Sequence, residues 1–176
     1  MAISPKELET RGGVDRAAVF FATCGYSSLL PLAILRRLPW KLSTDKWSGC
    51  GLMGSFCGVA TYLLLPLSWA RSPWALVGGT LVSVVISGRA EVAMGRHDDS
   101  RIVIDEWIGA WIAAVAAPHA LGWPLAASFV LFRVFDVLKG PFGPLQRLPG
   151  GWGVTMDDVG AGLAAAAVVH FLPFAR

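Results

Sequence analysis

Charge is scarce in this sequence. Only 15% of its 176 residues are Asp, Glu, Lys or Arg, against about 25% in an average soluble domain, which excludes a disordered polyelectrolyte and argues for an integral membrane protein. Cysteine is scarce as well. The three present, Cys24, Cys50 and Cys57, are odd in number and lie in or beside apolar stretches, so they read as small buried residues and not as a disulfide framework or metal site. The net charge is only +3 and the basic residues fall between apolar segments, without the interleaved basic and aromatic surface that nucleic acid requires. A cleavable leader is not expected, because Glu7, Glu9 and Asp15 stand among the early basic residues and no clean small-residue cleavage site follows the first apolar run.

What the chain has in quantity is hydrocarbon. Hydrophobic residues make up 55% and mean hydropathy is +0.57. No formal charge interrupts residues 17–35, 47–70, 72–88, 107–132 or 159–175. Crossing a bilayer takes about 20 helical residues, so the first two runs are long enough alone, while Pro118 and Pro124 split the fourth. These runs predict an all-α fold, a compact membrane-embedded bundle of about five or six short helices. Residues 1–16 form a polar lead-in, and 17–176 form one helical membrane domain. The eight tryptophans suit the interfacial belts of such a protein.

Basic residues orient the bundle. The connections around 36–46, 89–106 and 133–158 carry Arg36, Arg37, Lys41, Lys46, Arg89, Arg96, Arg101, Arg133, Lys139 and Arg147, whereas the opposite loops carry only Arg71. The positive-inside rule makes the charged side cytoplasmic in a multi-pass protein. On that side, Gly54 and Gly58 near the start of the second run read either as a G-x-x-x-G packing pair or as part of a Gly/Ser-rich helix start that presents N–H groups to phosphate.

Carboxylates, the rarest useful groups, are gathered there too. Asp98, Asp99, Asp105 and Glu106 are four of only twelve acidic residues, and the last two open directly onto a charge-free stretch. A second group is Arg133, Asp136 and Lys139, spaced by three on one helix face. A third is Asp157-Asp158 after Gly150-Gly151-Trp152-Gly153, immediately before an apolar helix. Two acidic pairs at helix entrances make an oxygen-rich site for a hard divalent cation, with Arg133 and Lys139 as partners for a phosphate. Plainer readings stand beside these: either acidic pair caps a helix N-terminus, Arg133 and Asp136 form an i, i+3 ion pair, and His97 is a loop histidine instead of a ligand or proton donor. His119 and His170 read as structural.

The three blocks together resemble the bacterial phosphatidylglycerophosphatase A family. They are His97-Asp98 with Ile102-Val103-Ile104-Asp105-Glu106 and Gly109; Phe132-Arg133 with Phe135-Asp136 and Lys139; and Gly150-Gly151, Gly153 and Asp157-Asp158 with Ala161-Gly162. Two departures accompany them: Gly140-Pro141-Phe142-Gly143-Pro144 replaces the family's Lys-Pro-x-Pro run, and Cys50-Gly51-Leu52-Met53-Gly54-Ser55 stands where the family has Pro-Gly-Thr-x-Gly-Ser. The resemblance implies a Mg²⁺-dependent phosphatase of the bacterial inner membrane that hydrolyses the terminal phosphomonoester of phosphatidylglycerophosphate at the cytoplasmic face. It implies Asp105, Glu106, Asp157 and Asp158 as metal ligands, Asp98 and Asp136 as further catalytic carboxylates, and His97, Arg133 and Lys139 as substrate-binding residues. No cysteine is followed by arginine six residues on, and no Asp-x-Asp-x-Thr/Val run occurs, so thiolate and aspartyl-phosphate signatures are missing. The partner expected is a membrane phospholipid, with the oligomeric state open. Two other classes remain, a small ion-coupled membrane carrier and a non-catalytic membrane subunit whose charges only cap helices.

Overall fold

The structure, a computed structural model, describes residues 12–31, 49–96, 99–138 and 140–172. Among them the chain is helical throughout: α1 Gly13–Ala22, α2 Cys50–Leu64, α3 Leu67–Ala70, α4 Pro73–Met94, α5 Ile104–Ala114, α6 Trp123–Leu138, a 3₁₀ helix Gly140–Arg147, and α7 Gly151–Phe171. The all-α expectation holds, but the helices outnumber the five or six foreseen. The excess comes from backbone breaks inside apolar runs and from a 3₁₀ helix in the connection before α7. Pro66 stops α2 and starts the four-residue α3, and the first run turns at residues 23–28, where Cys24 and Tyr26 adopt positive φ. Thr23 stabilises that turn by donating from Oγ1 to the Val19 carbonyl at 2.9 Å and accepting from the Tyr26 N–H at 3.0 Å. The Gly140-Pro141-Phe142-Gly143-Pro144 segment, which has no helical signature, winds into the 3₁₀ helix.

Helix α5 lies at the centre. Of its residues, Ile104, Asp105 and everything from Ile108 to Ala114 are buried, as expected for a helix apolar on all sides. It packs chiefly against α7 and α2, and also against α4 and α6. Small residues permit the close crossings. A Cβ on Gly54 would strike the Val103 carbonyl, and one on Gly58 the Trp107 carbonyl, so the G-x-x-x-G pair of α2 serves packing. A Cβ on Gly162 of α7 would likewise meet the Gly109 carbonyl of α5.

The start of α5 is fixed from several directions. The Val103 N–H donates to the Ala22 carbonyl at 2.8 Å and Ser28 Oγ to the Arg101 carbonyl at 3.0 Å. Buried Ser83 of α4 donates to the Ile104 carbonyl at 3.2 Å and lies 3.2 Å from Thr155 of α7. Farther along α5, the indole N–H groups of Trp107 and Trp111 find Thr61 Oγ1 at 2.9 Å and the Ala70 carbonyl at 3.0 Å.

Helices α4 and α7 are long and apolar enough to cross a membrane. Both run past the charge-free stretches that announced them. Helix α4 continues through Arg89 and Glu91 to Met94, where Gly95 takes the left-handed conformation of a C-cap. Helix α7 begins at Gly151, so Asp157 and Asp158 lie well inside a helix, not immediately before one. That excludes N-terminal capping for this pair. The reason is the glycine-rich start: Gly151 and Gly153 press against the carbonyls of Val84, Gln146 and Leu148, contacts that a larger side chain would prevent. The three cysteines are free thiols, with Cys50 buried and the other two partly so.

Candidate metal and phosphate site

Two crossing helices bring three carboxylates together. Asp105 and Glu106 stand in the first turn of α5, while Asp158 stands on the buried face of α7. Oxygen atoms from the three lie within 4.8 Å of one another. The crossing at Gly109 and Gly162 allows this proximity. For Asp105 and Glu106, the first-turn position also suits the positive end of the helix dipole, and the N-cap residue Val103 offers no side-chain cap.

Asp136 of α6 joins the group, since its charge bears on both Glu106 and Asp158. Arg133 is the cation beside them. It pairs with Asp136 at 2.7 Å and donates to Ser55 Oγ at 3.3 Å, and Ser55 in turn donates to the Gly51 carbonyl at 2.9 Å. The i, i+3 ion pair read from sequence is therefore present, and it is part of the acidic group and not a separate surface pair. A Cβ on Gly51 would run into the Glu106 carboxylate and approach Arg133 to 3.1 Å, which accounts for glycine at the start of α2.

Asp157 faces another way. Its Oδ2 accepts from Gln146 Nε2 at 2.7 Å, which ties it to the 3₁₀ helix, and it is absent from the three-carboxylate cluster. Gln146 and Ser55 are polar partners that sequence reading missed. No motif marks Gln146, and Ser55 was legible only as one residue of a Gly/Ser-rich helix start. His97, Asp98 and Lys139 lie outside the described residues. Asp99, next in sequence, is buried and engages Arg101 through Nε and Nη2, both at 2.8 Å. Burial opposes its ionisation, but hydrogen bonds from the Arg101 side chain and backbone, with the charges of Arg101 and Arg96, hold its carboxyl below the usual range. His119 sits away from the acidic group, 2.6 Å from the Tyr62 carbonyl.

The donor set fits a hard divalent cation. Glu106 Oε2 and Asp158 Oδ2 are buried oxygens with no hydrogen-bond partner among the described residues, although buried acceptors are ordinarily satisfied. Clustered carboxylate oxygens are the ligands that Mg²⁺ and Ca²⁺ favour.

Fold and site define the class as an all-helical protein holding a buried carboxylate cluster of metal-binding type beside an arginine. Two helices of membrane-crossing length accompany that cluster. The family model for phosphatidylglycerophosphatase A matches residues 20–173, and the chain belongs to that family. It is 34% identical over 125 residues to phosphatidylglycerophosphatase A of Escherichia coli K12, covering 69% of this chain and 73% of the relative. It is 37% identical over 99 residues to the Haemophilus influenzae protein of the same name, covering 53% and 59%. A Bacteroides thetaiotaomicron protein named as a candidate phosphatidylinositol-3-phosphatase is 37% identical over 119 residues, covering 64% of this chain and 73% of its own length. No solved structure matches the chain.

Proposed function

We propose that this protein is a Mg²⁺-dependent phosphatidylglycerophosphatase, which releases inorganic phosphate from the terminal phosphomonoester of phosphatidylglycerophosphate and leaves phosphatidylglycerol. The observation that carries the reading is the meeting of Asp105, Glu106 and Asp158 within 4.8 Å, with Arg133 beside them, in a chain of this family. Asp105, Glu106 and Asp158 would hold the cation, while Asp157, held by Gln146, stands outside that cluster. A bound Mg²⁺ supplies Lewis-acid polarisation of the phosphoryl group and orientation of a water.

The protein's own groups do the rest. Arg133, kept in place by Asp136 and Ser55, neutralises charge on the phosphoryl oxygens, and Lys139 and His97 add donors from the adjoining segments. The leaving glycerol oxygen takes a proton from water as the P–O bond breaks, while Asp136, paired with Arg133 at 2.7 Å, keeps that arginine in position. Asp98 is a further carboxylate for taking the proton of the attacking water. The surface supports a setting in lipid. Trp69 of α3, Trp74 at the start of α4, and Leu121 and Trp123 at the start of α6 are all at least 66% exposed, at helix ends away from the acidic group. This is the pattern of an interfacial belt. By the distribution of basic residues the acidic end faces the cytoplasm, in a multi-pass protein of the bacterial inner membrane whose helical domain covers residues 17–176.

The direct test measures phosphate release by detergent-purified protein from phosphatidylglycerophosphate, with Mg²⁺ and with chelator. It includes Asp105→Asn and Asp158→Asn variants shown to be folded. The expected result is release that needs Mg²⁺ and falls by about 100-fold or more in each variant. Folded wild-type protein that releases nothing from this or other lipid phosphates would overturn the reading, leaving the carrier and the non-catalytic subunit.

A further inference from the structure

An open apolar groove of about 400 Å³ runs along α6 where it meets α2, lined by Leu52, Phe129, Val130, Val134 and Val137, with Arg133 in its wall. Phe129 stacks on Phe56 of α2 with ring centroids 4.9 Å apart, so the wall is braced by both helices. The floor is uncovered by any described element: Val130 and Val137 are 57% and 55% exposed. Its size falls within the roughly 300–1,000 Å³ of sites that take small ligands.

Arg133 gives the groove its meaning. The guanidinium reaches Asp136 at 2.7 Å and Ser55 at 3.3 Å, in the carboxylate cluster, while the side chain also borders the groove. An arginine can do both because its stem lies on apolar surface while its head stays with polar partners. One residue therefore joins an apolar channel to the acidic site. A ligand matching both must be hydrocarbon along the channel and anionic at the arginine. A water-soluble sugar phosphate would leave the apolar wall bare, and a lipid without a phosphate would bring nothing to the acidic site.

We propose that this groove binds a fatty acyl chain of the lipid phosphate whose headgroup is hydrolysed at the cluster. The assignment rests on the phosphatase reading above and adds to it the path of the chain. Val130 and Val134 determine how well a chain fits, because their side chains face the groove and are largely free of the protein core.

Two measurements test it. The first compares kcat/KM for dioleoyl phosphatidylglycerophosphate with that for its deacylated, water-soluble headgroup in wild type, Val130→Trp and Val134→Trp. Filling the groove is expected to lower the diacyl value by about tenfold or more, within the range over which apolar pockets discriminate, and to leave the deacylated value unchanged. Equal losses on both substrates, or no loss on the diacyl one, overturn the proposal. The second reads binding without turnover, by photolabelling in detergent with phosphatidylglycerophosphate that carries a diazirine on one acyl chain. Label is expected on the 129–138 segment, displaced by unlabelled phosphatidylglycerophosphate but not by diacylglycerol, and reduced in Val134→Trp. Phosphate release without label in this segment sinks the groove and spares the phosphatase; label in this segment without release supports the groove and sinks the phosphatase.

Discussion

Neutralising Asp158 should make the ion-free protein more stable while removing its activity. Three carboxylates whose oxygens lie within 4.8 Å repel one another, and each ionised pair at that separation costs about 3.5 kcal/mol at an effective dielectric near 20. Asp158→Asn removes two of the three pairs. Proton uptake caps the cost in the ion-free protein, so the measurable gain is smaller, about 1–3 kcal/mol. Divalent cation works against this gain. Mg²⁺ at a hundredfold excess over its Kd stabilises the wild type by about 2.7 kcal/mol, and the variant, with one ligand charge fewer, gains less. Thermal unfolding of both proteins in the same detergent, with chelator and then with saturating Mg²⁺, reads all four states. The variant is expected to melt higher than wild type in chelator and to respond less to Mg²⁺. If Asp158 serves only local helix structure, the variant melts lower in chelator and both proteins respond to Mg²⁺ alike, a result that would refute the cluster argument.

Two other expectations concern the frame around the site. Gly58→Val drives a branched side chain into the Trp107 carbonyl and the Ala110 Cβ, and overpacking of this kind costs about 1–3 kcal/mol; a melting temperature equal to wild type would show that α2 and α5 are not held at close approach. The depressed carboxyl of Asp99 predicts acid sensitivity. Its folded value lies below the unfolded value of about 3.9, so the unfolded chain binds more protons in that window. The contribution is complete above about pH 5 and is lost as pH falls through the folded value. Melting temperatures measured from pH 6 to pH 3 should fall less steeply in Asp99→Asn than in wild type, and equal slopes would remove Arg101 as the cause.

The helical class, the acidic blocks and the family were legible in the sequence because each rests on local information. Charge-free runs bounded by basic loops predict apolar helices whatever their packing, and Asp105-Glu106, Arg133 with Asp136, and Asp157-Asp158 are readable as neighbours in the chain. Helix ends were less legible. Hydropathy marks where charge stops, whereas backbone hydrogen bonding continues through any residue that helix geometry tolerates, so α4 runs through Arg89 and Glu91, and α7 starts at Gly151, before its charge-free stretch.

Only tertiary structure decided which carboxylates meet. Asp157 and Asp158 are adjacent in the chain, yet successive positions on a helix project about 100° apart. Asp158 therefore turns to Asp105 and Glu106 while Asp157 turns to Gln146. The backbone approaches at Gly54, Gly58, Gly109 and Gly162 that set those distances depend on pairs of helices far apart in sequence. So does the groove that Arg133 borders, since its walls come from α2 and α6 and no single segment contains it.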